Sequence, residues 1–245
     1  MFSDLIKEEN SIIQEVILPN NNRFVKVFIK RDDLIHPEIS GNKWRKLKYN
    51  INAAIECKYK TILTFGGAFS NHIYAVASAG KIFGFNTIGI IRGEEHLPLN
   101  PTLSFATKCG MELHYLDRTT YRKRNDESFR EELANLYNNP FVVPEGGSNL
   151  FALQGVEELV GDINIEYDYI CCANGTGGTI AGIISALKGN KKVLGFPSLK
   201  GGEFLYEVID KFVFQYTGNK YNNYLLVTDY HFGGYAKINK ELVNF

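Results

Sequence analysis

Three short stretches hold residue types that can do chemistry. "SGNKWRKLK", Ser40 to Lys48, places four cations in nine residues where the pattern starts a helix. A helix N-terminus carries partial positive charge, so each cation there is disfavoured by roughly 0.3 kcal/mol or more. A lysine in that setting binds its proton less tightly, and Lys43 could supply the neutral amine that condenses with an aldehyde. The plain alternative is that Lys43, Arg45 and Lys46 make a solvated face. "CCANGTGGTIAG" (171–182) is a strand running into a glycine-rich turn and a helix. There Gly175, Thr176, Gly177, Gly178 and Thr179 can aim several N–H groups and hydroxyls at one anion, which suits a phosphate. It is neither a Walker loop nor a Gly-x-Gly-x-x-Gly site, and a tight turn with threonine caps reads equally from the turn alone. "GGAFSNH" (66–72) ends another strand with Ser70, Asn71 and His72. Ser70 can cap the next helix or face a substrate from its start.

A phosphate loop and a proton-poor lysine together point to pyridoxal 5'-phosphate. The five histidines, at 36, 72, 96, 114 and 231, show no paired spacing for a metal. Ser70 and His72 do not make a nucleophile elbow. Near-adjacent residues also rarely present hydroxyl and imidazole to each other, so a serine hydrolase is disfavoured.

Strand and helix patterns alternate around these stretches. Strands are expected at 23–31, 60–65, 86–93, 112–116, in "FVVPEGGSN", "DYICCA" and "KKVLGF", and at 224–229. Helices are expected at 43–57, 70–84 (with Gly84 near its end), 100–110, 121–137, "ALQGVEELVGDI" and "GGTIAGIISALKG". Strands followed by helices imply right-handed βαβ units and a mainly parallel sheet, an α/β fold. Ligands of such sheets bind at the carboxyl ends of strands, so the three glycine-rich turns are expected to open onto one edge.

Lys plus Arg equals Asp plus Glu at 27 each in 245 residues, so no whole-molecule field favours nucleic acid or an anionic membrane. The first residues are acidic where a signal peptide needs a basic start, and no apolar run is long enough to span a bilayer. Cys57, Cys109, Cys171 and Cys172 form no C-x-x-C, and they read as buried, reduced thiols of a cytoplasmic protein.

"IKRDDLIHPEISGNKWRKLKYN", "TFGGAFSNHIYAVASAGKIFGF", "PEGGSN" and "GTGGTIAG" together resemble the 1-aminocyclopropane-1-carboxylate deaminase/D-cysteine desulfhydrase family. The resemblance runs from about residue 23 to about 237, in the family's order. It implies a two-domain pyridoxal-phosphate enzyme of fold type II, similar to tryptophan synthase β. The small domain would hold 46–152, and the large one 1–45 with 153–245, with the cofactor between them. It also implies that Lys43 forms the Schiff base, that Gly175 to Thr179 cradle the phosphate and that Asn71 bonds the ring oxygen. Ser70 would contact the substrate and share in proton transfer or attack, Asn71 and His72 would also bind the substrate, and Tyr235 would be an active-site tyrosine. Family members continue well past that tyrosine and carry a second one, whereas this sequence ends at Phe245. The expected activity is D-cysteine β-elimination or ring-opening deamination of the cyclopropane amino acid. A catalytically impaired cofactor binder or truncated family member is the alternative. A small amino acid is the expected partner, with a homodimer as the family's usual assembly.

Overall fold

The computed structural model describes residues 5–19, 24–234 and 237–244. Two compact units share the chain: Met1–Trp44 with Tyr59–Phe141, and Arg45–Lys58 with Val142–Phe245. The first opens with an antiparallel ribbon, β1 (Ile13–Val16) and β2 (Val27–Lys30), Ile13 lying opposite Lys30. β1 falls where the sequence pattern predicts no strand, and β2 is shorter than the stretch 23–31.

α1 (Asn42–Glu56) crosses the boundary between the units after its third residue. The first unit resumes with β3 (Thr61–Gly67), α2 (Asn71–Phe83), β4 (Asn86–Arg92), α3 (Pro101–Lys108) and β5 (Met111–Leu116). β3, β4 and β5 are parallel, Thr61 registering with Asn86 and Thr87 with Met111. The interiors of β3 and β4 are buried without alternation, as in strands covered on both faces. Gly84, at φ 77°, ends α2 in the left-handed conformation that glycine adopts without penalty.

The helix expected over 121–137 is two pieces. α4 (Arg118–Tyr121) runs into a 3-10 turn, Asp126 is extended, and α5 (Glu127–Leu136) starts afresh. The break falls at the extended Asp126, whose side chain makes no capping bond. Asp117 caps α4 by accepting from the Thr119 and Thr120 N–H groups, and Asp126 stands at the N-cap of α5.

β6 (Phe141–Val143) closes the sheet order β5–β4–β3–β6 and carries the chain onward. In the second unit come α6 (Leu150–Gly161), β7 (Tyr169–Asn174), α7 (Gly178–Leu187), β8 (Lys192–Pro197), α8 (Leu205–Thr217), β9 (Tyr224–Leu226) and α9 (Lys240–Asn244). β7, β8 and β9 make a separate parallel sheet. The parallel pairings thus fall in two sheets, and the turns after β3 and β7 belong to different ones. α8 is an element the sequence reading does not predict. Its signal is present, since Leu205, Ile209 and Val213 are buried at helical spacing and Gly218 ends it at φ 71°.

The core of this unit packs Leu153 and Val156 of α6 against Ile180, Ile184 and Ile209. α1 meets α6 backbone to backbone. A Cβ on Gly155 would lie 1.9 Å from the Arg45 carbonyl oxygen, so glycine is required there. Through this anchorage α1 beyond Trp44 groups with the second unit, while residues 1–44 group with 59–141.

β7 is not the buried strand expected. Ile170 and Cys172 pack on the core, while Tyr169, Cys171 and Ala173 are exposed, because successive strand residues face opposite ways. All four cysteines are free thiols, but Cys57 and Cys171 are exposed rather than buried. Among the described residues, no helix is long and apolar enough to cross a membrane.

Candidate active site

In the first unit, Gly41 (φ 62°) turns the chain into α1, and Lys43 follows in the first turn. Trp44 fixes that turn: it is fully buried, its indole N–H donates to Glu8 at 2.9 Å, and its ring lies 6.2 Å from that of Phe83. Lys43 Nζ donates to Asn42 Oδ1 at 2.7 Å. Burial pushes its pKa below the ordinary lysine value, because removing water penalises the ammonium.

Ser70 is the N-cap of α2. Its Oγ accepts from His72 N–H at 3.2 Å and Ile73 N–H at 3.3 Å, which leaves its own hydrogen to donate outward. The turn is tight, since a Cβ on Gly66 would meet Ile73 Cγ1 at 2.5 Å and Ser70 Oγ at 2.8 Å. Asn71 is exposed at the first helical position. His72 points inward, buried, with Nε2 2.8 Å from Thr64 Oγ1.

The second unit holds the glycine-rich loop. Gly177, at φ 79°, is the N-cap of α7 and has no side chain of its own to cap that end. The first N–H groups of α7 and its dipole therefore suit an anion. The "PEGGSN" turn nests against this loop. Ser148 Oγ is 2.5 Å from Thr176 Oγ1, and a Cβ on Gly178 would approach Ser148 Oγ to 2.5 Å.

Three residues to which sequence reasoning gave no site role complete the arrangement. Lys46, 2% exposed, donates from Nζ to Ser148 Oγ at 2.8 Å and reaches Thr176 Oγ1 at 3.5 Å. Asn50 and Asn149 exchange amide hydrogen bonds at 2.7 and 3.2 Å, which holds α1 to the start of α6. Spacing was the available signal, because Lys46 and Asn50 are one helical turn apart on one face. Arg45, 0% exposed, pairs with Asp162 at 2.9 Å. The cations of "KWRK" are thus no solvated face. Tyr235 lies outside the described residues.

These features fit the two ends of pyridoxal phosphate, residue by residue. An uncapped helix start, a glycine whose added Cβ would fill the cradle and a buried ammonium suit a phosphate. A water-poor lysine amine suits an aldehyde. Fold and residues together define a pyridoxal-phosphate enzyme of the parallel α/β kind.

The sequence profile of the family described as pyridoxal-phosphate dependent enzyme matches residues 16–206, and the chain belongs to that family. A Pyrococcus horikoshii protein named for 1-aminocyclopropane-1-carboxylate deaminase is 31% identical over 237 residues, 92% of this chain and 73% of that one. The mitochondrial bifunctional D-cysteine desulfhydrase/1-aminocyclopropane-1-carboxylate deaminase of Arabidopsis thaliana is 31% identical over 78% of this chain and 52% of its own. The crystal structure of an ACC deaminase homologue superposes with a TM-score of 0.80 at 30% identity, covering 96% of this chain and 75% of that one.

Proposed function

We propose that the chain is a lyase or deaminase acting on a small amino acid. The preferred reaction converts D-cysteine and water to pyruvate, ammonia and hydrogen sulfide. The alternative converts 1-aminocyclopropane-1-carboxylate and water to 2-oxobutyrate and ammonia. The names of the relatives support both substrates. The observation that carries the reading is the desolvated Lys43 amine in the first turn of α1.

Bound pyridoxal phosphate supplies an aldehyde that condenses with amines and a ring that draws electron density from the substrate's α-carbon. Lys43 Nζ, neutral at a lower pH than an ordinary lysine, would hold the cofactor and would take or return the proton at that carbon. Ser70 Oγ, its acceptor capacity held by two backbone N–H groups, presents its hydrogen to the substrate. Asn71 would hold the cofactor's ring oxygen. Gly175, Thr176, Gly177, Gly178 and Thr179 bind the phosphate through N–H groups and hydroxyls, and Lys46 offsets its charge from behind Ser148. His72 keeps Ser70 and Asn71 in place through its bond to Thr64. Tyr235 completes the catalytic set, and a cytoplasmic homodimer is part of the same reading.

The test loads the purified chain with pyridoxal phosphate, reduces it with borohydride and maps the labelled peptide, while unreduced protein is assayed for sulfide from D-cysteine and for 2-oxobutyrate from 1-aminocyclopropane-1-carboxylate. A pyridoxyl label on Lys43 with sulfide release is the expected result. A label elsewhere, or none, overturns the assignment of Lys43. A label on Lys43 with no product from either substrate identifies a cofactor binder instead of an enzyme.

A further inference from the structure

The second unit contains an open depression of about 570 Å³, lined by Glu157 of α6, Ser185 and Lys188 of α7 and its cap, Tyr216 of α8, and Tyr221. It lies at the C-terminal end of α7, whereas the phosphate loop occupies the N-terminal end, about 15 Å away by helical rise. Its volume falls within the range of small-molecule sites.

Three observations say what it would hold. Ser185 is 1% exposed, and its Oγ has no hydrogen-bond partner among the described residues. A buried hydroxyl left so is costly and calls for an explanation. Glu157 takes the Tyr216 hydroxyl on Oε2 at 2.8 Å, leaving Oε1 without a partner among the described residues. Burial, then that bond, push the Tyr216 phenol up to about 12, so at neutral pH Tyr216 keeps its proton and donates it. The third observation is helix polarity. α7 and α8 both end here, with Lys188 N–H closing on Ile184 O and Gly218 N–H on Phe214 O, and helix C-termini carry partial negative charge. Two helix ends, a carboxylate oxygen and an unpartnered hydroxyl all favour a cation that donates hydrogen bonds. Among the lining residues, Lys188 supplies the positive charge, and it stands exposed at the rim.

We propose that this depression binds a small primary ammonium group, seated on Glu157 Oε1 and Ser185 Oγ, with Lys188 placed to meet a carboxylate on the same ligand. The shared chemistry is the ammonium, and its source is a simple amine or an amino acid. The site makes no use of the cofactor.

The test uses the full chain after cofactor loading and borohydride reduction, which closes the catalytic lysine to amines. Ethylammonium, glycine and acetate are titrated separately while backbone amide shifts are followed by NMR. Both amines are expected to give saturable shifts around residues 185–189 and 216–221, and acetate none. Glu157→Gln should weaken ethylammonium at least tenfold, about 1.4 kcal/mol, with the Lys43 label unchanged. Glycine binding tighter than ethylammonium, with the advantage lost in Lys188→Met, assigns the site to amino acids; equal affinities assign it to amines. No saturable shift with either amine, or undiminished binding by Glu157→Gln, overturns the proposal. Ser185→Ala removes a partnerless hydroxyl without disturbing packing, so unchanged affinity in that variant overturns it as well. Should borohydride leave Lys43 unlabelled, the same titration of untreated chain still decides the matter.

Discussion

The turns β3–α2 and β7–α7 make the same strand-to-helix step with opposite solutions at the helix start. Ser70 caps α2 from within, spending its oxygen on two of the helix's own N–H groups. Gly177 starts α7 with no side-chain cap, and a lysine and two hydroxyls gather beside it. An end satisfied by its own chain fixes a side chain for use, whereas an end left uncapped is a seat for an anion. The two turns therefore call for different chemistry despite similar glycine content.

That contrast can be broken hardest at Gly178. Gly178→Ala forces Ser148 away from a new methyl at 2.5 Å, and cofactor affinity should fall over a hundredfold, about 3 kcal/mol, by fluorescence titration. Lys46→Met removes a charge-assisted bond and should weaken the cofactor by about 2 kcal/mol, roughly thirtyfold, with inorganic phosphate weakened in parallel. At the other turn, Ser70→Ala should cost about 1 kcal/mol of stability, lowering Tm by about 2–4 °C, while phosphate affinity stays constant. An equal loss of phosphate affinity in Ser70→Ala would erase the distinction between the turns.

The smallest effect concerns pH. Lys43 holds its proton less tightly folded than unfolded, so the folded state binds fewer protons between the lowered value and 10.5. Stability should therefore rise with pH across that window, and Lys43→Met should flatten the slope in urea titrations of the cofactor-free chain. The rate of Lys43 labelling should climb with pH and level off before the ordinary lysine range.

The glycine-rich turns, the Ser70 cap and the α/β alternation were legible because each rests on local chemistry: permissive glycines, a capping hydroxyl, hydrophobic period. Lys46 was not, since its partners Ser148 and Thr176 are 102 and 130 residues away and only folding brings them together. The inward turn of Arg45 toward Asp162 was hidden for the same reason. Cys171 was misjudged because an apolar run does not say which faces of its sheet are covered. The break at Asp126 and the helix α8 were local signals and could have been read.

The contact at Gly155 has a consequence for how such a chain can change. Most positions tolerate a graded series of substitutions, each a little larger than the last. Here the smallest addition already overlaps the Arg45 carbonyl, and the helix displaced by it carries Lys46. The position offers no intermediate steps: in lineages that keep this helix crossing the residue is frozen. A relative with any other residue there must hold α1 at a different distance from α6.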